Sequence, residues 1–360
     1  MTVTAPLING KLDSPLAWLS KPLLGLPIGP QSGSKSGSKS GRTITRGEFL
    51  QHVHRVAVTL PDRPFAINVC DNRYLFLVAT WAVIVRQQSN LLPPNKNVIT
   101  QTKLADRYEP CYVIHDGVAE LASSLTSIDL SLLDWSLESP NHNAQIPEIN
   151  FNHPAIISFT SGSTGESKPN LKTWQTLVQS TAINAKYMLP NNEQIFHQLA
   201  TVPGQHMWGL ETSVLLPAFA NACLVDARPM FPKDIALLIK RLPKPVSVIS
   251  TPLNLRALSM NFKGQESIEW SNTLCATAPL NKELAHAIER QFNTEVREVY
   301  GCSEVGSMAV RRTAISDVWQ QFEGLDFSIS DKQTQVNSAY LPAPVVLEDV
   351  LESVTLGCFK

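Results

Sequence analysis

The sequence predicts an α/β protein in which helices cover both faces of parallel sheets. Short apolar runs typical of buried strands alternate along the 360 residues with amphipathic stretches of helical period. Parallel neighbouring strands need a crossover connection, and the predicted helices between the runs provide it. Two segments rich in glycine and hydroxyl side chains directly follow strand-like runs, at the sheet edge where such folds bind ligands.

The individual elements are assigned in chain order. The first helix is predicted to begin after Thr45, because Thr45 and Glu48 have the spacing of a capping box ahead of apolar residues at helical spacing. A later helix is predicted to be capped by Asn281. The other predicted elements are a strand at 66–70, a buried helix at 74–86, a strand at 155–159, a helix at 174–185, strands at 222–225 and 246–250, a strand near 273–276 and a strand at 295–299.

Residues 1–42 are predicted to be an N-terminal arm and a flexible segment rich in Ser, Gly and Lys. Residues 18–28 are apolar, but they are too short to span a membrane and are interrupted by Lys21 and two prolines. They are therefore expected to pack as an irregular arm. Residues 31–41 repeat Ser-Gly-Ser-Lys, which is typical of a flexible tether.

Charge and cysteine usage limit the classes of partner and the compartment. The formal net charge of −1 argues against an electrostatic nucleic-acid or anionic-membrane partner. The six cysteines show no C-x-x-C spacing, which favours reduced thiols in a cytoplasmic protein. No secretory or membrane-spanning segment is predicted.

The most informative segment for function follows the strand-like run 155–159. It reads Thr160-Ser161-Gly162-Ser163-Thr164-Gly165-Glu166-Ser167-Lys168. Glycines let the backbone approach a ligand closely, exposed N–H groups and hydroxyls donate to phosphate oxygens, and the lysine adds a positive charge. The segment therefore predicts a polyphosphate-binding loop, with an ordinary surface loop as the alternative if it stood alone.

A Walker-type phosphate loop does not fit this spacing. Counted from Gly162, Ser167 stands where the second glycine is needed and Pro169 where the hydroxyl is needed. Pro169 also disfavours helical backbone at Lys168, so this lysine is not expected to open a helix.

A second motif follows the strand-like run 295–299. It reads Tyr300-Gly301-Cys302-Ser303-Glu304. The Tyr300 ring can stack on a base, the Ser303 hydroxyl can donate to a phosphate, and the Glu304 carboxylate can hold magnesium. Alone the motif is also typical of a turn, but its order and distance relative to the first loop make the pair specific.

Together the two motifs resemble those of the adenylate-forming (ANL) superfamily, which includes acyl- and aryl-CoA synthetases, luciferases and the adenylation domains of peptide synthetases. That family carries a Thr-Ser-Gly-Thr-Thr-Gly-x-Pro-Lys-Gly loop and a Tyr-Gly-x-Thr-Glu motif. The resemblance covers residues 43–360, and Ser167 and Pro169 depart from the family's loop, where proline and glycine are usual. Further segments that look like family motifs are 203–209 around His206, 275–280, 322–325 and 347–349.

The resemblance implies the fold in more detail. Two stacked parallel-sheet α/β subdomains are expected at 43–335, followed by a small β segment at 336–360. In the family a hinge and a mobile C-terminal domain with a catalytic lysine follow this point. Lys360 has no claim to that role, so the C-terminal domain is expected to be absent and turnover to be impaired.

The resemblance also implies ATP and Mg²⁺ as cofactors and assigns roles to residues of this sequence. The catalytic residues it implies are Thr164, Lys168, Ser303, Glu304 and His206, with Glu304 as the metal ligand. The nucleotide-binding residues are Thr160, Ser161, Gly162, Ser163, Gly165, Ala276, Thr277, Ala278, Tyr300, Gly301 and Asp349. The substrate pocket is assigned to His206, Met207, Trp208, Gly209 and Cys302.

The implied reaction activates a carboxylic acid as an acyl-adenylate, for transfer to the thiol of CoA or an acyl carrier protein. Residues 71–77 and 91–94 look like stand-alone ligases of aryl-polyene and related pigment clusters, which favours an aromatic or short acyl acid. Met207 and Trp208 suit a flat acid, although core packing explains them equally well. His206 has the alternative of a packed, hydrogen-bonded histidine. A nucleotide-binding regulatory module or pseudoenzyme, and more distantly a P-loop phosphotransferase, are the competing functions.

Overall fold

A computed structural model describes residues 3–26, 41–137, 145–160, 168–190, 193–262, 268–330 and 332–360. The strands are β1 (Thr4–Pro6), β2 (Pro15–Leu19), β3 (Arg42–Thr45), β4 (Phe65–Asn68), β5 (Ser89–Leu92), β6 (Cys111–His115), β7 (Ser127–Asp129), β8 (Glu148–Asn150), β9 (Pro154–Thr160), β10 (Lys168–Thr173), β11 (Phe196–Ala200), β12 (Ala222–Val225), β13 (Val246–Ser250), β14 (Asn272–Cys275), β15 (Glu295–Cys302), β16 (Gly306–Arg311), β17 (Trp319–Gln321), β18 (Asp326–Ile329), β19 (Thr334–Asn337), β20 (Val345–Leu347), β21 (Ser353–Thr355) and β22 (Cys358–Phe359).

The helices are α1 (Arg46–Ala57), α2 (Arg73–Val85), α3 (Val98–Arg107), α4 (Trp174–Met188), α5 (Met207–Leu210), α6 (Leu216–Phe219), α7 (Pro232–Arg241), α8 (Pro252–Asn261) and α9 (Lys282–Phe292). A 3₁₀ turn lies at Leu130–Leu132, and a π-helical turn, Glu211–Leu215, joins α5 to α6. Within the described ranges, no helix is long and apolar enough to cross a membrane.

Two sheets, each with a run of parallel strands, form the framework of the molecule. The smaller has the strand order β10-β9-β5-β4-β6-β7, in which only the β10–β9 pair is antiparallel. The larger has the order β21-β22-β17-β16-β15-β14-β13-β11-β12-β2-β3, with parallel pairing from β15 through to β2. A separate three-stranded sheet, β18-β19-β20, lies near the C-terminal end of the described chain. The predicted fold class, with two parallel-sheet subdomains and a small β subdomain, is confirmed.

Helix α2 forms the centre of the core between the two sheets. Its residues from Arg73 to Ile84 are all buried, and it contacts β4 and β5 of the smaller sheet and β12 of the larger one. A helix that is apolar on all sides requires such burial on all sides. The rings of Trp81 and Trp174 meet edge to face, with centroids 6.2 Å apart.

The N-terminal residues belong to the core more than the sequence analysis predicted. Strand β2 pairs in parallel with β12, and Leu16 to Leu19 are fully buried. The expectation of an irregular arm was therefore wrong for Trp18 and Leu19, because β2 pairs with β12 on one side and with β3 on the other. Residues 27–40, with most of the Ser-Gly-Ser-Lys repeat, lie outside the described residues. The domain boundaries themselves remain a prediction.

Arg46, at the start of α1, ties this N-terminal region to α6. Its guanidinium is buried and donates to the carbonyl oxygens of Asn9 at 2.6 Å, Pro217 at 2.9 Å and Ala220 at 3.0 Å. It also donates to the Ser14 hydroxyl at 3.1 Å and to the Pro15 carbonyl. Burial lowers the pKa of Arg46. This one side chain satisfies oxygens from three separate segments.

The predicted capping box at the start of α1 is present. The Thr45 hydroxyl accepts from the Glu48 N–H at 3.2 Å, and the Glu48 carboxylate accepts from the Thr45 N–H at 2.8 Å.

We expect Thr45→Ala to lower the free energy of unfolding by about 1 kcal/mol, because it removes this N-cap. Urea unfolding measures the change. The control is Thr102→Ala at an exposed position in α3, where we expect a change within about 0.5 kcal/mol; equal losses in the two variants would contradict the cap.

Candidate active site

A cavity of about 960 Å³ opens at the carboxyl ends of strands from both sheets. Its walls come from α3, the end of β9, the segment that enters α5, the end of β14 and the turn between β15 and β16. Outside α3 and the segment before it, the cavity is lined by Ser158, Phe159, Gln205, His206, Met207, Trp208, Glu211, Ala276, Thr277, Val299, Gly301, Cys302, Ser303, Gly306 and Ser307. Residues predicted from separate motifs thus meet at one site.

The predicted phosphate loop connects two antiparallel strands. Thr160 at the end of β9 pairs with Lys168 at the start of β10. Lys168 is exposed and opens a strand, which confirms the expectation that it does not open a helix. Residues 161–167 lie outside the described residues, so the roles of Ser161, Gly162, Ser163, Thr164 and Gly165 remain predictions. The Thr160 side chain is not described either.

The turn between β15 and β16 carries the second motif. A Cβ on Gly301 would lie 2.4 Å from the Gly306 carbonyl oxygen, so this tight approach requires glycine. Ser303 lines the cavity and is half-buried, whereas Glu304 is exposed beside it. The hydroxyl and the carboxylate therefore leave the turn at the mouth of the cavity.

Tyr300 and Asp349, which the sequence analysis assigned to the adenine and the ribose, contact each other. The Tyr300 hydroxyl donates to Asp349 Oδ2 at 2.7 Å. Burial, together with the hydrogen bond to the Asp349 carboxylate and its charge, raises the pKa of Tyr300. The Tyr300 ring packs against Trp319 and Phe359, with centroids 5.6 and 6.0 Å away. Neither Tyr300 nor Asp349 lines the 960 Å³ cavity.

The strand end at Ala276–Ala278 is held by Glu298. Its carboxylate accepts from the Leu280 N–H at 2.8 Å and from Arg311 Nε at 2.8 Å. Ala276 and Thr277 line the cavity, and Thr277 has a φ of +80°, while Ala278 is exposed outside the lining. The predicted nucleotide-binding strand end therefore contributes two of its three residues to the cavity wall.

The segment from His206 to Gly209 enters α5. His206 is exposed, and the surrounding protein and the charges of Arg228 and Lys96 lower its pKa, which favours the neutral imidazole. Trp208 is buried and donates from Nε1 to the Ser250 carbonyl at 3.2 Å. Met207 also lines the cavity, but Gly209 lies behind it, packed against Pro203.

Two buried charged residues at the site were missed by the sequence analysis. Glu211 lines the cavity and is 2% exposed, and Lys172 on β10 is also 2% exposed. Lys172 Nζ donates to the backbone carbonyl of Glu304. Nothing in a local sequence window distinguishes these side chains from exposed ones, because their burial depends on segments more than thirty residues apart.

A magnesium site can be tested against the side chains present. Within the described ranges, no group of three or more His, Cys, Asp or Glu side chains could hold a metal ion. Mg²⁺ in nucleotide enzymes is commonly held by one or two carboxylates and by the phosphates of the substrate. One exposed carboxylate, Glu304, fits a metal that arrives with a nucleotide.

Comparisons with known proteins agree with this architecture. The family model described as AMP-binding enzyme matches residues 64–338. A 4-coumarate–CoA ligase-like protein of Arabidopsis thaliana is 26% identical over 304 residues, covering 72% of this chain and 50% of that protein. A 4-coumarate–CoA ligase of Rhodobacter capsulatus is 28% identical over 200 residues, covering 53% of this chain and 47% of that protein. The chain thus spans about half the length of the curated relatives it matches.

Solved structures show the same fold. ATP-bound MatB from Rhodopseudomonas palustris superposes with a TM-score of 0.73 at 16% identity, covering 97% of this chain and 76% of that one. The o-succinylbenzoate CoA synthetase of Bacillus subtilis in complex with AMP gives a TM-score of 0.72 at 15% identity, covering 88% of this chain and 73% of that one.

Proposed function

The chain belongs to the AMP-binding enzyme family, and on that premise we propose that it activates a carboxylic acid with ATP, forming an acyl-adenylate and releasing pyrophosphate. One observation carries the proposal. His206 and Trp208, Ala276 and Thr277, and Ser303, predicted from three separate motifs, line one cavity.

In the proposed reaction the substrate carboxylate attacks the α-phosphorus of ATP in line, and the bond to pyrophosphate breaks. The protein contributes positioning and charge neutralisation. The β- and γ-phosphates are assigned to Ser161, Gly162, Ser163, Thr164, Gly165 and Lys168. Ser303 is assigned to the α-phosphate, Tyr300 to the adenine, Asp349 to the ribose and Glu304 to the metal. When bound, Mg²⁺ neutralises the phosphate charge.

We assign an aromatic or short acyl acid to the cavity. Met207, Trp208, Val299, Cys302 and Ala276 give its wall an apolar character suited to a flat acid. The matched curated relatives are named as a 4-coumarate–CoA ligase and a 4-coumarate–CoA ligase-like protein, which supports an aromatic acid and CoA as the thiol acceptor. An acyl carrier protein is the alternative acceptor. A cytoplasmic location is part of the proposal, supported by six cysteines that are all free.

Binding of non-hydrolysable acyl-adenylate mimics tests the proposal. We expect an aromatic mimic at a hundred times its dissociation constant to stabilise the protein by about 2.7 kcal/mol, and short- and long-chain mimics to act more weakly. Thermal unfolding measures the effect. Asp349→Ala should weaken binding, whereas its exposed neighbour Glu348→Ala should not. Stabilisation by neither ATP nor any mimic would contradict the proposal, and stabilisation by ATP without stabilisation by any acyl-adenylate mimic would favour a regulatory module.

A further inference from the structure

We propose that Lys172 and Glu211, two buried residues that contact the segment 301–307 separately, form a positioning pair that holds this turn and thereby sets where Ser303 and Glu304 face the nucleotide. The inference rests on the proposed function, because the roles of Ser303 and Glu304 belong to it. It adds two residues that appear in neither sequence motif. Lys172 contacts the backbone of the turn, and Glu211 contacts both the backbone N–H and the hydroxyl of Ser307.

Lys172 holds the turn from the side of β10. Its side chain is 2% exposed, and Nζ donates to the backbone carbonyl of Glu304. Burial lowers the pKa of this ammonium, and the charges of Glu211, Cys302 and Glu304 oppose that effect. A buried lysine is costly unless its charge and donors are satisfied. Here the accepting carbonyl belongs to Glu304, whose carboxylate is the proposed metal ligand.

Glu211 holds the same turn from the side of α5. Its Oε2 accepts from the Ser307 hydroxyl at 2.7 Å, and both carboxylate oxygens lie 3.2 Å from the Ser307 N–H. Burial raises the pKa of the Glu211 carboxyl, which the Ser307 donors and the Lys172 charge counteract. Gly306 has a φ of +99°, and a Cβ there would lie 2.4 Å from Glu211 Oε1. The turn is therefore shaped to receive this carboxylate.

The position of Glu211 links the turn to the acid pocket. It is the first residue of the π-helical turn that follows α5, and α5 begins directly after His206. Single π-helical turns inside α-helices frequently mark functional sites, since the extra residue reorients the side chains that follow. Lys172 lies four residues after Lys168, where the predicted phosphate loop rejoins the sheet. The pair thus joins the acid segment, the β9–β10 hairpin and the Ser303–Glu304 turn.

Stability alone is a weak reason for such a pair. Replacing two buried opposite charges by neutral side chains is often neutral or stabilising, whereas removing one of them leaves an uncompensated charge. Groups behind a ligand-binding side chain orient it, and their loss commonly costs 10- to 100-fold in affinity or activity. A neutral double variant therefore separates a structural role from a positioning role.

The test compares Glu211→Gln, Lys172→Met and the double variant by thermal unfolding and by calorimetric titration with ATP, with and without Mg²⁺. We expect both single variants to unfold at lower temperature and the double variant to regain most of the loss. We expect the double variant to bind ATP in the presence of Mg²⁺ about tenfold more weakly than the wild type. It should also lose most of the increase in affinity that Mg²⁺ gives the wild type, because a methionine in place of Lys172 donates nothing to the Glu304 carbonyl.

Two further variants make the result unambiguous. Arg46→Met removes a buried cation elsewhere and should lower stability without changing the Mg²⁺ dependence of ATP binding. Ser307→Ala changes a side chain that lines the cavity but removes the 2.7 Å donor to Glu211, so it should reduce the Mg²⁺ dependence of ATP binding as well as the affinity, even if the double variant fails to fold. Wild-type affinity and Mg²⁺ dependence in the double variant, or in Ser307→Ala if the double variant does not fold, would overturn the positioning pair alone. A wild-type protein that binds neither ATP nor an acyl-adenylate mimic would overturn the proposed function.

Discussion

Gly209→Ala is expected to destabilise the protein by about 3 kcal/mol and to abolish binding of acyl-adenylate mimics. A Cβ on Gly209 would lie 2.0 Å from the Pro203 carbonyl oxygen and 2.8 Å from its carbonyl carbon. Both neighbours are backbone atoms, so the segment 203–209 itself has to move. That segment carries His206 and Trp208 into the cavity, and its displacement changes the pocket as well as the stability. Urea unfolding and calorimetry measure the two effects.

The same segment offers a matched control. A Cβ on Gly204 would meet Val214 Cγ2 at 3.4 Å, which is ordinary van der Waals contact. We expect Gly204→Ala to change the unfolding free energy by less than about 1 kcal/mol and to leave mimic binding unchanged. If Gly209→Ala changed the unfolding free energy and mimic binding as little as Gly204→Ala, the close approach of Gly209 to Pro203 would be contradicted.

Arg46→Met is expected to lower the free energy of unfolding by about 3–5 kcal/mol. The substitution keeps an apolar stem of similar length but removes donors to five oxygen atoms. Each buried oxygen that loses its donor costs about 1–3 kcal/mol, and solvent entry recovers part of the sum. Urea unfolding monitored by tryptophan fluorescence measures the loss.

The control for this prediction is an exposed arginine. Arg86 lies 3.7 Å from Asp62, and both side chains are exposed. We expect Arg86→Met to cost less than about 1 kcal/mol, because exposed ion pairs contribute little. If Arg46→Met lost no more unfolding free energy than Arg86→Met, the anchoring role of Arg46 would be rejected.

Local sequence signals predicted the elements that depend on local chemistry. The capping box at Thr45 and Glu48 and the Asn281 cap of α9 are both present. Strands β12 and β13 were predicted with the bounds that the structure gives them, since each is a short apolar run fully buried in a parallel sheet. The lysine at position 168 was placed outside a helix because Pro169 restricts its backbone.

The features that sequence analysis missed depend on distant partners. Strand β2 begins with a proline and has its neighbours in β12 and β3, so no local pattern identified it. Helix α3, which forms one wall of the cavity, was also missed, because its apolar face is narrow. Tyr300 and Asp349 were assigned to one nucleotide by resemblance, but their direct hydrogen bond appears only in the fold.

The residues of the candidate site likewise fall into those that the sequence motifs identified and those that they missed. The motifs identified His206, Ala276, Thr277 and Ser303 because their residue types suit a ligand, and all four line the cavity. Lys172 and Glu211 escaped notice, since a charged residue in a sequence is most often exposed. Their burial follows from the packing of β10, the π-helical turn and the β15–β16 turn, which no single segment encodes.

The parallel pairing of β2 with β12 has a consequence for the newly made chain. β2 leaves the ribosome early, but the strand beside it is translated about two hundred residues later. At synthesis rates of about 5–20 residues per second, this interval lasts roughly 10–40 s. During that time Leu16 and Trp18, fully buried in the finished sheet, lack β12 to pair with. Until β12 is made, β2 has only β3 to pair with, so the large sheet can close around β2 only late in synthesis.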